Sequence, residues 1–303
     1  MRLRLLENFR FLIYAPFYAA HATGAYRRAG VEVELLPSLG PGRAEQAVCD
    51  GAAEAMWAGP MRILKHHDGD PASPLVAFAE IVCRDPFSLV GREPNPGFRL
   101  ADLAQLRFAS VSEVPTPWLC LQEDLRQAGI DPNELDRVAD FGMADSLVHL
   151  AEGRIAAAQL FEPFVEQAVG SGAGHLWWAA SARGLTSYTV FATTRERLAA
   201  DPEPYRRMVA AIAQTLAWVE AEPVEALAAA VASYFPDLAR DALTRSLARY
   251  KAQRIWGRDP VLCEEGFDRL RRGLVSSGFI SRPVPFAECV DNRLAEEVRA
   301  SLA

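Results

Sequence analysis

One feature constrains this chain more than any other: an alternation of short β-rich runs and helical stretches through its first two thirds. "LRLLE" (3–7) predicts a strand. "PFYAAHATGAYRRAG" (16–30) predicts a helix punctuated by Gly24 and Gly30, and "VEVELLP" (31–37) a strictly alternating strand. "GRAEQAVCDG" (42–51) predicts a helix and "AEAMWAG" (53–59) a strand. "PMRILKHH" (60–67) predicts a helix with Pro at its first position and an exposed basic end. Parallel strands need crossover connections, so the order βαβαβ predicts a largely parallel sheet covered by helices. A long β-rich segment follows at 74–93.

A second, similar unit comes next. "FRLADLAQLRFASVSE" (98–113) holds a helical turn and a strand, and "TPWLCLQEDLRQAGIDP" (116–132) a helix ending at Gly129. Residues 145–169 predict helix, short strand, loop and helix. "CDGAAEAMWAG" and "AEGRIAAAQLFEP" form a weak internal repeat, each a helix ending in Gly followed by a strand. After the β-rich stretch 186–198 the chain is Ala-rich and helical, at roughly 202–220, 223–234, 237–252 and 261–277. The turn cluster "EPNPG" (93–97) marks a boundary between lobes.

Composition narrows the function classes. At 303 residues the chain exceeds one simple core. Its net charge of -7 gives no electrostatic reason to expect nucleic acid or an anionic membrane as partner. The five cysteines are odd in number and form no CxxC, which argues against a disulfide framework and for a reducing compartment. No His/Cys spacing suggests zinc, so neither metal nor cofactor is expected. No apolar run reaches membrane-spanning length. Glu7 and Arg10 interrupt any signal-peptide core. The expectation is a cytoplasmic protein if Met1 is the natural start, and a periplasmic one if a leader was removed.

In their order and spacing, "PFYAAHATGAYRRAGVEVEL", "CDGAAEAMWAG", "LADLAQLRFASVSEVPTPWLCLQEDLRQAGIDP" and "LAEGRIAAAQLFEPF" resemble a known family. It comprises the substrate-binding proteins of nitrate, sulfonate, taurine and thiamine-pyrimidine ABC importers. The superfamily also holds the eukaryotic-type thiamine pyrimidine synthase. The resemblance covers nearly the whole chain, including "IWGRDPVLCEEGFDRLRRGLVSSGFI". It implies a type II periplasmic-binding-protein fold: two α/β lobes joined by two crossing segments, with the ligand between them. The crossings fall near 82–90 and 183–192. Lobe one is then 1–83 plus 190–303, lobe two is 84–189, and the helical C-terminal block covers lobe one. A small-molecule ligand and an ABC transporter permease are the implied partners.

Ligands in open α/β sheets sit beyond the C-terminal strand ends, which selects candidate residues. After the first strand these are Tyr14, Pro16 and Phe17, offering flat apolar area and one hydroxyl. At the third strand they are Trp57, Gly59, Pro60 and Arg62, where free helix N–H groups and a guanidinium suit an acidic group. Glu80 and Arg84 are charges inside an apolar run and need partners. In lobe two, "SVSEVPTPW" offers Glu113, Thr116 as an N-cap, and Trp118. Glu113 stands where the family usually has a small-residue anion-binding turn, which argues against a simple inorganic oxyanion. Glu162 of "LFEPF" and Tyr188 on the second crossing complete the set.

The leading expectation is therefore a solute-binding protein for a small aromatic or heteroaromatic organic ligand. The alternative is a cytosolic enzyme on the same fold, acting on a small aromatic or pyrimidine-like metabolite. The resemblance to the synthase argues against that particular chemistry. Its Lys position falls on Ala58, its His position on Arg62, and its Cys-rich motif near "SYTVFATT", which has no Cys. A regulatory ligand-binding domain ranks last, because no helix-turn-helix precedes the first strand.

Overall fold

The computed structural model describes residues 2–40 and 42–302. In chain order the first unit runs β1 (Arg2–Leu6), α1 (Ala15–Ala22), α2 (Ala25–Arg28), β2 (Glu32–Leu36), α3 (Arg43–Cys49), β3 (Ala55–Ala58), α4 (Pro60–Gly69) and β4 (Leu75–Val82). The second runs β5 (Ser88–Gly91), β6 (Phe108–Ala109), α5 (Thr116–Gln127), β7 (Arg137–Val138), α6 (Met143–Ala151), β8 (Ala157–Leu160), α7 (Phe164–Gly170) and β9 (His175–Ala179). The chain then returns through β10 (Thr189–Thr194) to a helical block. This comprises α8 (Arg195–Ala200), α9 (Glu203–Ala221), α10 (Val224–Val231), α11 (Arg240–Ala252), α12 (Glu264–Ser276), α13 (Phe286–Cys289) and α14 (Arg293–Leu302). None of these helices is long and apolar enough to cross a membrane.

There are two five-stranded sheets, ordered β2-β1-β3-β10-β4 and β7-β6-β8-β5-β9. Each is mixed rather than parallel throughout. β10 runs antiparallel to both its neighbours, and so does β5. Both are the strands that follow a crossing. The chain leaves β4 and β9 at their C-terminal ends and enters the other sheet from the facing side, so the next strand must run against its neighbours. The C-terminal ends of the remaining strands thus look at one another across an interlobe cleft.

Several elements differ from expectation. The single helix expected over 16–30 is two, because Gly24 adopts the left-handed region (φ +74°) and restarts the helix. The long β-rich segment splits between the sheets as β4 and β5. The basic end of α4 is not wholly exposed: His67 is buried and its Nε2 lies 2.8 Å from the Leu75 carbonyl. Strands β7 and β9 were not anticipated. β7 is too short to show a period, and β9 ("HLWWA") does not alternate.

The helical block does more than cover the first sheet. α9 packs on α1, α2 and α14, and α10 on α1. However, α12 also packs on α5, and α11 on α7, both in the second unit. The first pair meets at Gly273, where a Cβ would lie 3.4 Å from the Leu119 carbonyl, in ordinary van der Waals contact. Ion pairs fasten the crossings to α5 and α11 to the α7 region. Arg183, on the second crossing, bonds Asp85 of the first at 2.6 Å and both carboxylate oxygens of Asp124 on α5. Arg249 of α11 binds Glu162 and Glu166, and Arg245 binds Glu166 at 2.6 Å.

Candidate functional site

The cleft contains two connected compartments. The inner chamber is built on the loops that follow the strands. The segment between β1 and α1 supplies Asn8, Phe9, Phe11, Ile13 and Tyr14, and the start of α4 supplies Gly59, Met61 and Arg62. The second unit faces them with Glu113, Val114, Thr116, Met143 and Phe161. Phe87 and Tyr188 come from the crossings. The cavity volume is about 60 Å³, so the chamber is narrow.

Its wall is a run of aromatic rings. Phe11 meets Phe161 edge-on at 4.6 Å, Phe161 stacks on Phe87 at 4.9 Å, and Tyr188 lies 6.2 Å from Phe87. A second layer lies beneath Tyr14, where Phe17 and Trp57 stack at 4.6 Å and both approach the Tyr14 ring. Offset and edge-on geometries of this kind add to simple area burial. The Tyr14 hydroxyl accepts a 3.0 Å bond from Asn8 Nδ2, yet burial pushes its pKa up to about 12. The Tyr188 hydroxyl is buried without a protein partner, and burial holds its pKa well above the ordinary tyrosine value.

The outer vestibule has a cavity volume of about 430 Å³. It shares Met61, Arg62 and Glu113 with the chamber and adds Gly42, Glu45, Lys65, His66, Pro115 and Phe279. Arg62 pairs with Glu45 at 3.2 Å. Glu113 accepts the Met143 N–H at 2.8 Å, at the first turn of α6, where a carboxylate suits the helix dipole.

Of the residues selected from sequence, Tyr14, Gly59, Arg62, Glu113, Thr116 and Tyr188 line the chamber. The others do not. Phe17 and Trp57 are buried beneath Tyr14, and Pro16 and Pro60 are buried helix starts. Glu80 is buried in β4 near Ser187 and the Cys263 backbone, where burial raises its pKa to about 8. Arg84 bonds the Ser181 carbonyl at 3.2 Å and so ties one crossing to the other. Trp118 lies under the Arg137 guanidinium at 4.3 Å, on the second unit's own core. Glu162 is a structural carboxylate, accepting the Glu166 N–H at the start of α7 and pairing with Arg249. Thr116 is the first residue of α5, not its cap; Pro115 holds that position with no side-chain bond. The Arg62 N–H is already bonded to the Gly59 carbonyl at 3.0 Å, so it is not free for an anion.

Sequence reasoning missed Asn8, Phe9 and Phe11, because it drew its candidates from the helix start at Tyr14 and passed over the loop that joins it to β1. It also passed over Phe161 in favour of the adjacent Glu162. The signal was present in both places: aromatic residues directly after a strand end.

The match to known proteins agrees with this architecture. Residues 13–226 match the family described as NMT1/THI5 like. The chain belongs to that family. It is 23% identical over 299 residues to YtlA of Bacillus subtilis, whose name assigns it provisionally as a binding protein; the match covers 98% of this chain and 90% of that protein. Among solved structures, the periplasmic aliphatic sulphonate binding protein SsuA from Escherichia coli superposes with a TM-score of 0.77 at 14% identity. The superposition covers 96% of this chain and 92% of the other. The desulfurization enzyme DSZB reaches a TM-score of 0.69 at 14% identity, covering 100% and 99%. The fold of this NMT1/THI5-like chain is thus the two-lobed type II binding-protein fold.

Proposed function

We propose that this protein is the solute-binding component of an ABC-type importer, holding a small aromatic or heteroaromatic organic molecule in the interlobe chamber. In that role it acts outside the cytoplasmic membrane and delivers its ligand to an ABC permease. The observation that carries the reading is the chamber itself. Both units and both crossings contribute to it, and its wall is chiefly apolar, with six aromatic rings, four aliphatic side chains and a few polar groups. That is the composition of a small-organic-ligand site, in which apolar walls supply affinity and sparse polar groups orientation. The lobes are taken as 1–83 plus 190–303 and 84–189. Because residues of both enclose the chamber, a ligand enters when they part and is held when they close. Arg62, engaged by Glu45, is the only arginine among the described residues of the wall, so a bare inorganic oxyanion finds little there.

A catalytic role is the second reading, favoured by the fold likeness to DSZB. Binding is placed first because the described residues lining the chamber include no lysine, cysteine or histidine to act as nucleophile or proton shuttle. A thermal-shift screen tests the ligand class, and recovery of a hit compound unchanged after incubation with the protein separates binding from catalysis. Aromatic acids, amines and heterocycles are expected to raise the melting temperature. Hits confined to sugars or inorganic anions would refute it.

A further inference from the structure

The vestibule contains a feature that an aromatic chamber does not require. Glu45, on α3, is 7% exposed and forms part of the vestibule wall. Its Oε1 pairs with Arg62, but its Oε2 is buried with no partner among the described residues. A buried carboxylate oxygen without a donor is costly, and such groups ordinarily find one. In the same wall, His66 Nδ1 is also buried and unpartnered. Across the cleft stands Glu113, exposed, with one oxygen accepting the Met143 N–H at 2.8 Å and the other a long 3.5 Å bond from the Ser112 hydroxyl. The charges do not cancel. Arg62 pairs with Glu45 and the Lys65 ammonium with Asp68 at 3.5 Å, and among the described residues no arginine or lysine pairs with Glu113. One negative charge remains at the mouth of the chamber.

We propose that the vestibule is a subsite for a protonated amine, so that the ligand is an aromatic amine: its ring lies in the chamber and its ammonium group between Glu45 and Glu113. This rests on the chamber reading above. An ammonium group has three donors and no acceptor, which matches a wall whose unsatisfied carboxylate oxygen needs a donor. Charge-assisted N–H···O bonds are stronger than neutral ones, and like charge in the same place is repelled. A carboxylate or sulfonate at this point would meet two carboxylates and an arginine already in use.

Three matched probes test the proposal by calorimetric titration: benzylamine, benzyl alcohol and benzoate. Benzylamine is expected to bind at least tenfold more tightly than either of the others. Glu45→Gln is expected to lower benzylamine affinity at least tenfold and to leave benzyl alcohol unchanged; Glu113→Gln, at an exposed site, lowers it about threefold. Should Glu45→Gln fold poorly, salt dependence of the wild type decides: benzylamine binding weakens as salt rises and benzyl alcohol binding does not. Benzyl alcohol or benzoate binding as tightly as benzylamine overturns the amine subsite and leaves the chamber reading standing. Failure of all three probes to bind overturns both.

Discussion

The chamber and the vestibule share Met61, Arg62 and Glu113, yet they are opposite in character. The chamber is narrow and aromatic, backed by a second aromatic layer. The vestibule is wider and charged, with polar atoms that lack protein partners. One helix serves both. The start of α4 gives Gly59 and Met61 to the inner wall, and its later turns give Lys65 and His66 to the outer one. The difference separates two jobs: the inner compartment selects by shape and apolar area, the outer by charge.

The largest expected effect breaks the chamber from below. Trp57 is buried and stacked on Phe17, without lining the cavity. Trp57→Ala is expected to cost about 3–5 kcal/mol of stability, read by urea denaturation. The fastening beside the chamber comes next. Glu162 is 1% exposed, and Arg249→Met leaves it buried without its partner; about 3 kcal/mol of lost stability is expected by the same assay. Within the wall, Phe11 is only half-buried. Phe11→Ala is expected to weaken binding of an aromatic probe about tenfold, roughly 1.4 kcal/mol, with a smaller change in stability. A loss of stability matching that of Trp57→Ala, with no loss of binding, would place Phe11 in the core rather than the wall.

Glu80 serves as a control for the vestibule carboxylates, being a buried acid outside both compartments. Its pKa rises to about 8 because burial disfavours the anion. The sign follows from linkage. Between the ordinary carboxylate value and about 8 the folded state holds the proton and the unfolded state does not. Stability is therefore highest at the acid end of this window and falls as pH rises through it, by at most about 1.4 kcal/mol per pH unit. Glu80→Gln is expected to flatten that fall, measured as urea midpoints at pH 5 and pH 8. An unchanged slope would refute the assignment.

The fold was largely legible in the sequence because its signals are local. Strict alternation marks β2, Pro60 starts α4, and Gly24 and Gly30 end helical turns. The direction of β5 and β10 was not legible, since it depends on which sheet the chain enters after each crossing. The site was legible only where a strand end was placed correctly. Tyr14, Gly59, Arg62, Glu113 and Thr116 follow from that rule. Trp57 and Phe17 obey the same rule yet face inward, because side-chain direction at a strand end is set by packing. Glu45 carries no signal in sequence: a carboxylate in the first turn of α3 reads as an ordinary dipole partner, and only burial shows that one oxygen lacks a donor.

The central claim is that a small aromatic organic molecule binds in the interlobe chamber. Native mass spectrometry of freshly purified protein, compared with its Tyr14→Ala variant, tests it most directly. The account predicts a bound small aromatic compound on the wild-type protein and its loss from a variant that stays folded. A sugar or an inorganic anion on the wild type, or an aromatic compound retained equally by both, would contradict it.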